Sequence, residues 1–480
     1  MTSESARRAI PPRVHLVGIG GMHMSAIARI LLAWGHTVSG SDLRPSPLTE
    51  RLAAEGASVF EGHRPENLGE AALLVTTSAA RDDNPEIAEA RRRGLPVIKR
   101  AEMVARLMEG RYAVAVAGTH GKSTTSALVA FILQQAGFAP TYLIGAEAPD
   151  LGGNAAAGSG RHIVVEADEF DAAFLSYHPQ LAVVTNIEPD HLDIYGSPER
   201  LAQAFGQFLS QVPPDGRIIA GADNPTVRRV LGLEGGPPAA PVVARYVESY
   251  ALDRPAHWTA DAVEPQPDGS HTFRALREGR AHGSFHTRIP GRHNVANALA
   301  AIAAAHALDV PLETVREAVA AFRGVGRRFE LVGEAGGITV MDDYAHHPTE
   351  VRATLAAARQ RFAGRRLVCL FQPHTYSRTR YLLEGFRTCF EGADELLIAD
   401  TYAARETPEA GMDGRQLAQA IERPRARFVP TFDEAAKAAA GLLRSGDVFF
   451  TIGAGDVDQV GPMVLERLRS RPARQGGGKT

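Results

Sequence analysis

Short apolar runs alternate along most of the chain with stretches whose apolar residues recur at helical spacing, a pattern that predicts parallel sheets joined by crossover helices. The first such unit opens with a strand over 14–17, turns at Gly18-Ile19-Gly20-Gly21, and continues into a helix predicted over 22–34. Met24, Ile27, Ile30 and Leu31 share one face of that helix. A second strand, over 37–39, leads to Gly40-Ser41-Asp42. The second unit begins near Arg111, where an apolar strand over 112–117 runs straight into Gly118-Thr119-His120-Gly121-Lys122-Ser123-Thr124-Thr125. The helix that follows carries Ala127, Leu128, Phe131 and Ile132 and ends near Gly137, a residue suited to the position after a helix C-terminus. Strands are predicted over 162–165 and 181–184. Gly235-Gly236-Pro237-Pro238 reads as an exposed loop, and the segment beyond it as irregular and β-rich. A third unit begins near Gly326, with strands over 338–341, 367–371, 395–399 and 448–451. The chain therefore reads as an α/β protein of three domains, 1–108, 109–325 and 326–480, with a tail from Arg471 to Thr480 expected to fray.

Composition narrows the function classes. The 480 residues are 44% hydrophobic and 22% charged, with a formal net charge of −3. Such a chain can bury several cores, and it has neither the composition of a disordered chain nor the basic footprint of a nucleic-acid binder. No apolar stretch approaches the length of a membrane span, and the opening MTSESARRAIPPR has no apolar segment behind its arginines, so no secretory signal is expected. Cys369 and Cys389 are the only cysteines, in keeping with a reducing cytoplasm. Of 52 basic residues only four are lysine: Lys99, Lys122, Lys437 and Lys479.

The strongest chemical signal is the loop at Gly118. Glycines let backbone amides approach phosphate oxygens, and the helix N-terminus adds partial positive charge. Lys122 can reach the β- and γ-phosphates, and the Ser123 hydroxyl can ligate Mg²⁺. The first glycine of the common phosphate loop is absent, with Val116 in its place. Two further clusters, Glu166-Ala167-Asp168-Glu169 and Asn186-Ile187-Glu188-Pro189-Asp190-His191, fall at strand ends. In a parallel sheet these open onto the same crevice as the loop, where an acid and an imidazole can hold a second divalent ion. Either cluster alone is more often a capped strand end or solvated loop; placed after a phosphate loop, the balance turns to metal binding. The turn at Gly18-x-Gly20, with Asp42 at the distance of a ribose-binding acid, suits a nucleotide or diphosphate at a helix N-terminus, although His23 stands at the third glycine position. In the third unit, Asp342-Asp343-Tyr344-Ala345-His346-His347-Pro348 and Gln372-Pro373-His374-Thr375-Tyr376-Ser377-Arg378-Thr379-Arg380 follow consecutive strands. They are expected on adjacent strand ends, where arginine suits a carboxylate.

Taken in order, GTHGKST, EADE, TNIEPDHLDIYG, PGRHNVANALAA, GVGRRFE, DDYAHHPTE, FQPHTYSRTR and GAGD resemble the Mur ligases across almost the whole chain. The resemblance implies a Rossmann-like N-terminal domain for a UDP-sugar, a central P-loop ATPase domain with a mostly parallel sheet, and a Rossmann-like C-terminal domain for an amino acid. It implies ATP as co-substrate, Mg²⁺, and the ligation of L-alanine to the carboxylate of UDP-N-acetylmuramate through an acyl phosphate, by a cytoplasmic monomer or homodimer.

Carried over residue by residue, Gly118, Thr119, His120, Gly121, Lys122, Ser123 and Thr124 would cradle ATP, with Ser123, Glu166 and His191 on the metals. Asn294 and Asn297 match the adenine-side motif, and Arg328 and Asp343 the interdomain ATP contacts. Lys122, Glu166, His191, Arg328 and Asp343 would thus carry the catalytic roles. Gly20, Gly21, Ser41, Asp42 and Ser78 would bind the UDP-sugar, and Tyr344, His346, His374 and Arg378 the amino acid. His346 and His374 are both candidates for the base that frees the attacking amine. Met22-His23, Phe170, Ala345 and Thr375 depart from the family's usual residues. Two alternatives remain: a Mur-family recycling ligase that attaches a stem tripeptide to the same sugar, which usually lacks the FQPH…SRTR element, and a nicotinamide oxidoreductase, which would use only the N-terminal turn.

Many Mur ligases place a carbamylated lysine beside the magnesium ions. No lysine lies between Lys122 and Lys437 in this chain, so the central domain cannot supply one. Activity is therefore expected to be independent of bicarbonate. In an assay stripped of CO₂, titrating bicarbonate back at fixed pH and ionic strength should change nothing, and a saturable rescue would contradict the expectation.

Overall fold

The computed structural model describes residues 9–234, 246–404 and 406–470. They form two compact bodies: one holds the chain through Glu264 together with Thr272–Arg288 and His293–Val325, the other Pro265–His271, Ile289–Arg292 and the chain from Gly326 onward. The predicted loop at Gly235–Pro238 and the tail from Arg471 lie outside the described residues.

The first body contains two sheets. Strands β1 (Arg13–Val17), β2 (Thr37–Asp42), β3 (Ser58–Glu61), β4 (Leu73–Thr76) and β5 (Val97–Lys99) pair in parallel in the order β3-β2-β1-β4-β5. Helix α1 (Met22–Ala33) follows β1 and buries Met24, Ile27, Ile30 and Leu31, the face its spacing predicts; it stops one residue short of the predicted end, with Trp34 as its cap. Helix α2 (Arg100–Met108) completes this layer.

The second sheet has ten strands: β6 (Tyr112–Ala117), β7 (Thr141–Leu143), β8 (Ala155–Ala156), β9 (His162–Glu166), β10 (Leu181–Val184), β11 (Arg217–Gly221), β12 (Tyr246–Ala251), β13 (Trp258–Pro265), β14 (His271–Arg277) and β15 (Arg280–Thr287). Their order, β15-β14-β13-β12-β11-β10-β6-β9-β7-β8, puts β9 and β10 on either side of β6, each parallel to it. Helix α3 (Lys122–Gln135) packs behind β6, and Gly137 follows it at φ +76° with its amide on Gln134 O, as the sequence predicts. One apolar core runs unbroken from Leu16 and Ile27 to Val165, Val184 and Phe205, so the two sheets share an interior.

The second body is built on β16 (Glu330–Ala335), β17 (Ile338–Asp343), β18 (Leu367–Phe371), β19 (Glu395–Ala399), β20 (Ala426–Val429) and β21 (Val448–Ile452). All pair in parallel except β16 with β17. The order β16-β17-β21-β18-β19-β20 corrects one expectation: β17 and β18 follow each other in sequence but do not touch, because β21 inserts between them. Separate apolar cores cover the two faces of this sheet, so its strands read as unbroken apolar runs.

A buried acid ties the first sheet together. Glu86 is fully enclosed and accepts hydrogen bonds from Ser41 Oγ at 2.5 Å, Asn67 Nδ2 at 2.6 Å and the Arg64 amide at 3.3 Å, with His63 Nδ1 at 3.3 Å and His15 Nε2 at 3.6 Å. Burial works to raise its pKa, but the groups around it hold the carboxyl down to about 2. A folded-state pKa below the ordinary value stabilises the protein above the ordinary carboxylate range, and that contribution is lost as pH falls toward 2. Glu86→Ala should therefore cost about 3 kcal/mol at pH 7 by urea unfolding. The gap from the wild type should narrow between pH 4.5 and about 2.

Candidate active site

The phosphate loop is laced to the neighbouring strand end. Past Ala117 the chain passes through Gly118 at φ +134°, where a Cβ would stand 2.0 Å from Thr185 Oγ1, so only glycine fits. Thr185 Oγ1 donates to His120 O at 2.6 Å, the His120 amide donates to Asn186 Oδ1 at 2.9 Å, and the Thr119 amide donates to Asn186 O at 3.0 Å. His120 Nε2 lies 3.2 Å from Glu188 Oε2. Gly121 sits at φ +81° over Asn297, where a Cβ would lie 2.4 Å from Oδ1, and Asn297 Nδ2 donates to Asn294 Oδ1 at 3.0 Å. Helix α4 (Arg292–Ala307) thus brings both predicted asparagines under the loop. No side chain caps α3 at Gly121, so its first-turn amides, with Ser123 and Thr124 beside them, are available to an anion.

The charged centre beside the loop is denser than the sequence suggests. Lys122 Nζ donates to Gly118 O at 2.7 Å and Thr119 O at 3.2 Å, and its ion pair with Glu169 spans 2.9 Å. Burial alone would lower the amine's pKa, but Glu169, Asp168 and Glu166 outweigh it and keep Lys122 protonated. Arg100, the first residue of α2, pairs with Asp168 at 3.1 Å. Burial would raise the Asp168 carboxyl, yet Arg100 and Lys122 hold it down to about 2. His23 enters the same centre from α1: burial and the nearby Arg100 lower its imidazole pKa, and Glu166, Asp168 and Lys122 are also within electrostatic reach.

Two of the three predicted metal ligands, Ser123 and Glu166, are oxygen donors that suit a small hard cation, and the third, His191, offers an imidazole nitrogen. Glu166 accepts the Gly145 amide on Oε2 at 2.8 Å, which leaves Oε1 as a donor, and a Cβ at Gly145 would lie 2.6 Å from that oxygen. His191, held at φ +51°, meets the edge of Phe170 at 5.2 Å between ring centroids. Phe170 thus orients a candidate ligand, a packing role for one of the residues that depart from the family's usual pattern. Ser123 stands in the first turn of α3.

At the N-terminal turn, the Gly20 amide donates to Asp42 Oδ2 at 2.9 Å and the Leu43 amide to Asp42 Oδ1 at 2.8 Å, so this acid holds the turn. Ser41 is buried against Glu86, one step behind the surface. Ser78 Oγ and Lys99 Nζ both donate to Asp171 Oδ2, at 2.8 and 3.0 Å, and join the first sheet to the second.

In the second body, Asp343 accepts from the Phe329 and Ala345 amides at 2.8 and 2.9 Å and from Thr354 Oγ1 at 3.1 Å, and burial pushes its carboxyl up to about 6. Arg328 pairs with Glu350 at 3.1 Å, and Arg327 and Arg328 both lie over the Tyr344 ring. Helix α5 (Pro348–Arg361) supplies Glu350, and α6 (Tyr376–Tyr381) supplies Arg378. The rings of His346 and His374 are 5.9 Å apart, although their strands are not neighbours. Their hydrogen bonds assign opposite tautomers. His346 Nδ1 lies 3.0 Å from Tyr344 O, which can only accept, so the neutral ring keeps its lone pair on Nε2. His374 Nδ1 lies 2.7 Å from Arg378 Nη1, which can only donate, so the proton of the neutral ring is on Nε2.

Sequence reasoning singled out the loop and the strand-end clusters but missed Arg100 and Glu86 and gave no role to Glu169. Arg100 has no motif around it; Glu169 is the third acid of EADE, and the lone lysine of the phosphate loop was the signal available for it.

Three family models match consecutive stretches of the chain: "Mur ligase family, catalytic domain" over residues 13–112, "Mur ligase middle domain" over 116–305, and "Mur ligase, glutamate ligase domain" over 327–455. Among curated relatives, the UDP-N-acetylmuramate–L-alanine ligases of Anaeromyxobacter sp. (strain Fw109-5) and Myxococcus xanthus (strain DK1622) are each 47% identical. The first covers 96% of this chain and 99% of the relative, the second 96% of both. Among solved structures, the UDP-N-acetylmuramate–alanine ligase of Thermotoga maritima superposes with a TM-score of 0.80 at 29% identity, covering 95% of this chain and 99% of that one. The murein peptide ligase of Psychrobacter arcticus gives a TM-score of 0.72 at 26% identity, covering 96% and 100%.

The Lys122–Glu169 pair separates a structural role from a chemical one. Lys122→Ala strands a buried carboxylate and should cost about 3 kcal/mol of stability while lowering ATP turnover by at least about 10²-fold. Adding Glu169→Ala should recover part of the stability and none of the turnover, as read by urea unfolding beside a phosphate-release assay. A lysine-free variant with near-normal turnover would show that the loop does not cradle phosphate.

Proposed function

The chain belongs to the Mur ligase family, and we propose that it joins L-alanine to the carboxylate of UDP-N-acetylmuramate at the expense of ATP, the step that adds the first amino acid of the peptidoglycan stem peptide. The observation that carries this reading is the end-to-end likeness to relatives named for that reaction, at 47% identity, over a chain that keeps the phosphate loop and its charged centre intact. The tripeptide-attaching alternative has the weaker structural likeness. The nicotinamide alternative leaves Lys122 and its buried ion pair without a purpose.

A free carboxylate resists an amine because oxide is a very poor leaving group. Transfer of the γ-phosphoryl of ATP to the sugar's carboxylate makes an acyl phosphate, and attack by the L-alanine amine then releases phosphate and leaves the amide. The open amides of α3 and the protonated Lys122 offset the charge of the transferring group. Mg²⁺, held by Ser123, Glu166 and His191, would neutralise further phosphate charge. Asn294 and Asn297 brace the loop from below.

The amine must shed its proton before it attacks. His346, whose neutral ring carries its lone pair on Nε2, is the base. His374 and Arg378 both present N–H groups and suit the amino acid's carboxylate. Arg328 and Asp343 order the loop that carries Tyr344 and His346. Among the described residues no helix is long and apolar enough to cross a membrane; the cytoplasmic location belongs to the proposed reaction, whose co-substrate ATP is met there.

Phosphate release from ATP should require UDP-N-acetylmuramate, Mg²⁺ and L-alanine together. Release that ignores L-alanine would end this reading, and release that responds to the stem tripeptide in its place would favour the recycling alternative.

A further inference from the structure

His23 follows Gly18-Ile19-Gly20-Gly21-Met22 in the first turn of α1, a 12-residue helix with no side-chain cap and no acid in its first turn. Its Nε2 is buried and has no hydrogen-bond partner among the described residues. A polar nitrogen withdrawn from water and left unpaired is a standing cost, and such groups are kept where a ligand completes them. The His23 side chain is partly buried. It lies within electrostatic reach of Arg100, Lys122, Glu166 and Asp168, the groups that surround the phosphate loop on the second sheet.

We propose that His23 is a positioning and specificity residue that donates a hydrogen bond from Nε2 to the carboxylate of the sugar substrate, holding the oxygen that will attack the γ-phosphoryl. The inference rests on the function proposed above and names a contact within it. The turn carrying His23 belongs to the sheet read as the UDP-sugar site, whereas the imidazole lies within electrostatic reach of the groups beside the phosphate loop. A ligand bound at both places must span them with its diphosphate at the turn and its reacting end at His23. That end is the carboxylate. Arg100 and Lys122 are both already paired to acids, so neither is spare for the carboxylate, and a neutral N–H donor supplies direction without adding charge. A glycine at this position would supply no such donor.

The test compares two ligands that share uridine, diphosphate and amino sugar and differ in the lactyl ether that carries the carboxylate: UDP-N-acetylmuramate and UDP-N-acetylglucosamine. Affinities are measured by calorimetry on the full chain for wild type, His23→Ala and His23→Gln, with the folded state of each checked by its thermal transition. His23→Ala should weaken UDP-N-acetylmuramate binding by about 10-fold to 100-fold. It should leave UDP-N-acetylglucosamine binding and the KM for ATP unchanged, and His23→Gln, which restores an N–H, should recover much of the loss. Unchanged UDP-N-acetylmuramate affinity in the alanine variant overturns the proposal, as does an equal loss for both ligands, the mark of a turn merely disturbed. If His23→Ala does not fold, the glutamine variant decides, since it must keep the preference for the carboxylate-bearing sugar. A wild type without that preference would instead overturn the proposed function itself.

Discussion

The ion pair between Lys122 and Glu169 sets the terms for everything around it. A protonated amine enclosed at the mouth of a glycine loop, 2.9 Å from a carboxylate that is almost wholly buried, is tolerable only if the surroundings supply compensating charge and hydrogen bonds. The loop carbonyls of Gly118 and Thr119 take two of its protons, and Asp168 is balanced in turn by Arg100 from the first sheet. The Arg100–Asp168 ion pair thus joins two sheets that also share one apolar interior. Part of the charge balance of the phosphate loop is carried by a residue of the other sheet, and the Ser78–Asp171–Lys99 contact ties the same seam a second time. The resting lysine is held by groups that a phosphate must compete with, so the loop is organised before any nucleotide arrives.

Much of this was legible in the sequence, and the reason is burial. Strands β10 and β18 are covered on both faces, so they read as unbroken apolar runs, and their limits coincide with the apolar segments themselves; β19 adds only Glu395 ahead of its apolar run. The phosphate loop was legible because each glycine is required: Gly118 and Gly121 have left-handed backbones and no room for a Cβ. Strand β2, in contrast, extends past its apolar residues through Gly40, Ser41 and Asp42, because the Ser41 hydroxyl is satisfied inside by Glu86. Mostly exposed β3 carries little apolar signal at all.

What the sequence could not reveal depends on contacts between distant segments. Nothing in the order of motifs says that β21, the last strand, enters between β17 and β18, separating two loops that looked adjacent yet leaving His346 and His374 within ring contact. Spacing likewise treats two histidines as equivalent candidates for a base. Their difference comes from whether the partner of Nδ1 accepts, as Tyr344 O does, or donates, as Arg378 does.

The scarcity of lysine has a further meaning once an acyl phosphate is made in this molecule. Such an intermediate is an acylating agent, and any neutral amine of the protein competes with the amino acid for it. Among the described residues the chain offers three amines. Lys437 lies exposed on the second body, and Lys99 is held by Asp171 at 3.0 Å. Lys122 is kept protonated by its carboxylates and so lacks the lone pair that attack requires. Nearly all remaining positive charge is guanidinium, which is always protonated and a poor nucleophile. The protein can therefore generate an activated acyl group next to its own most important lysine with little risk of acylating itself.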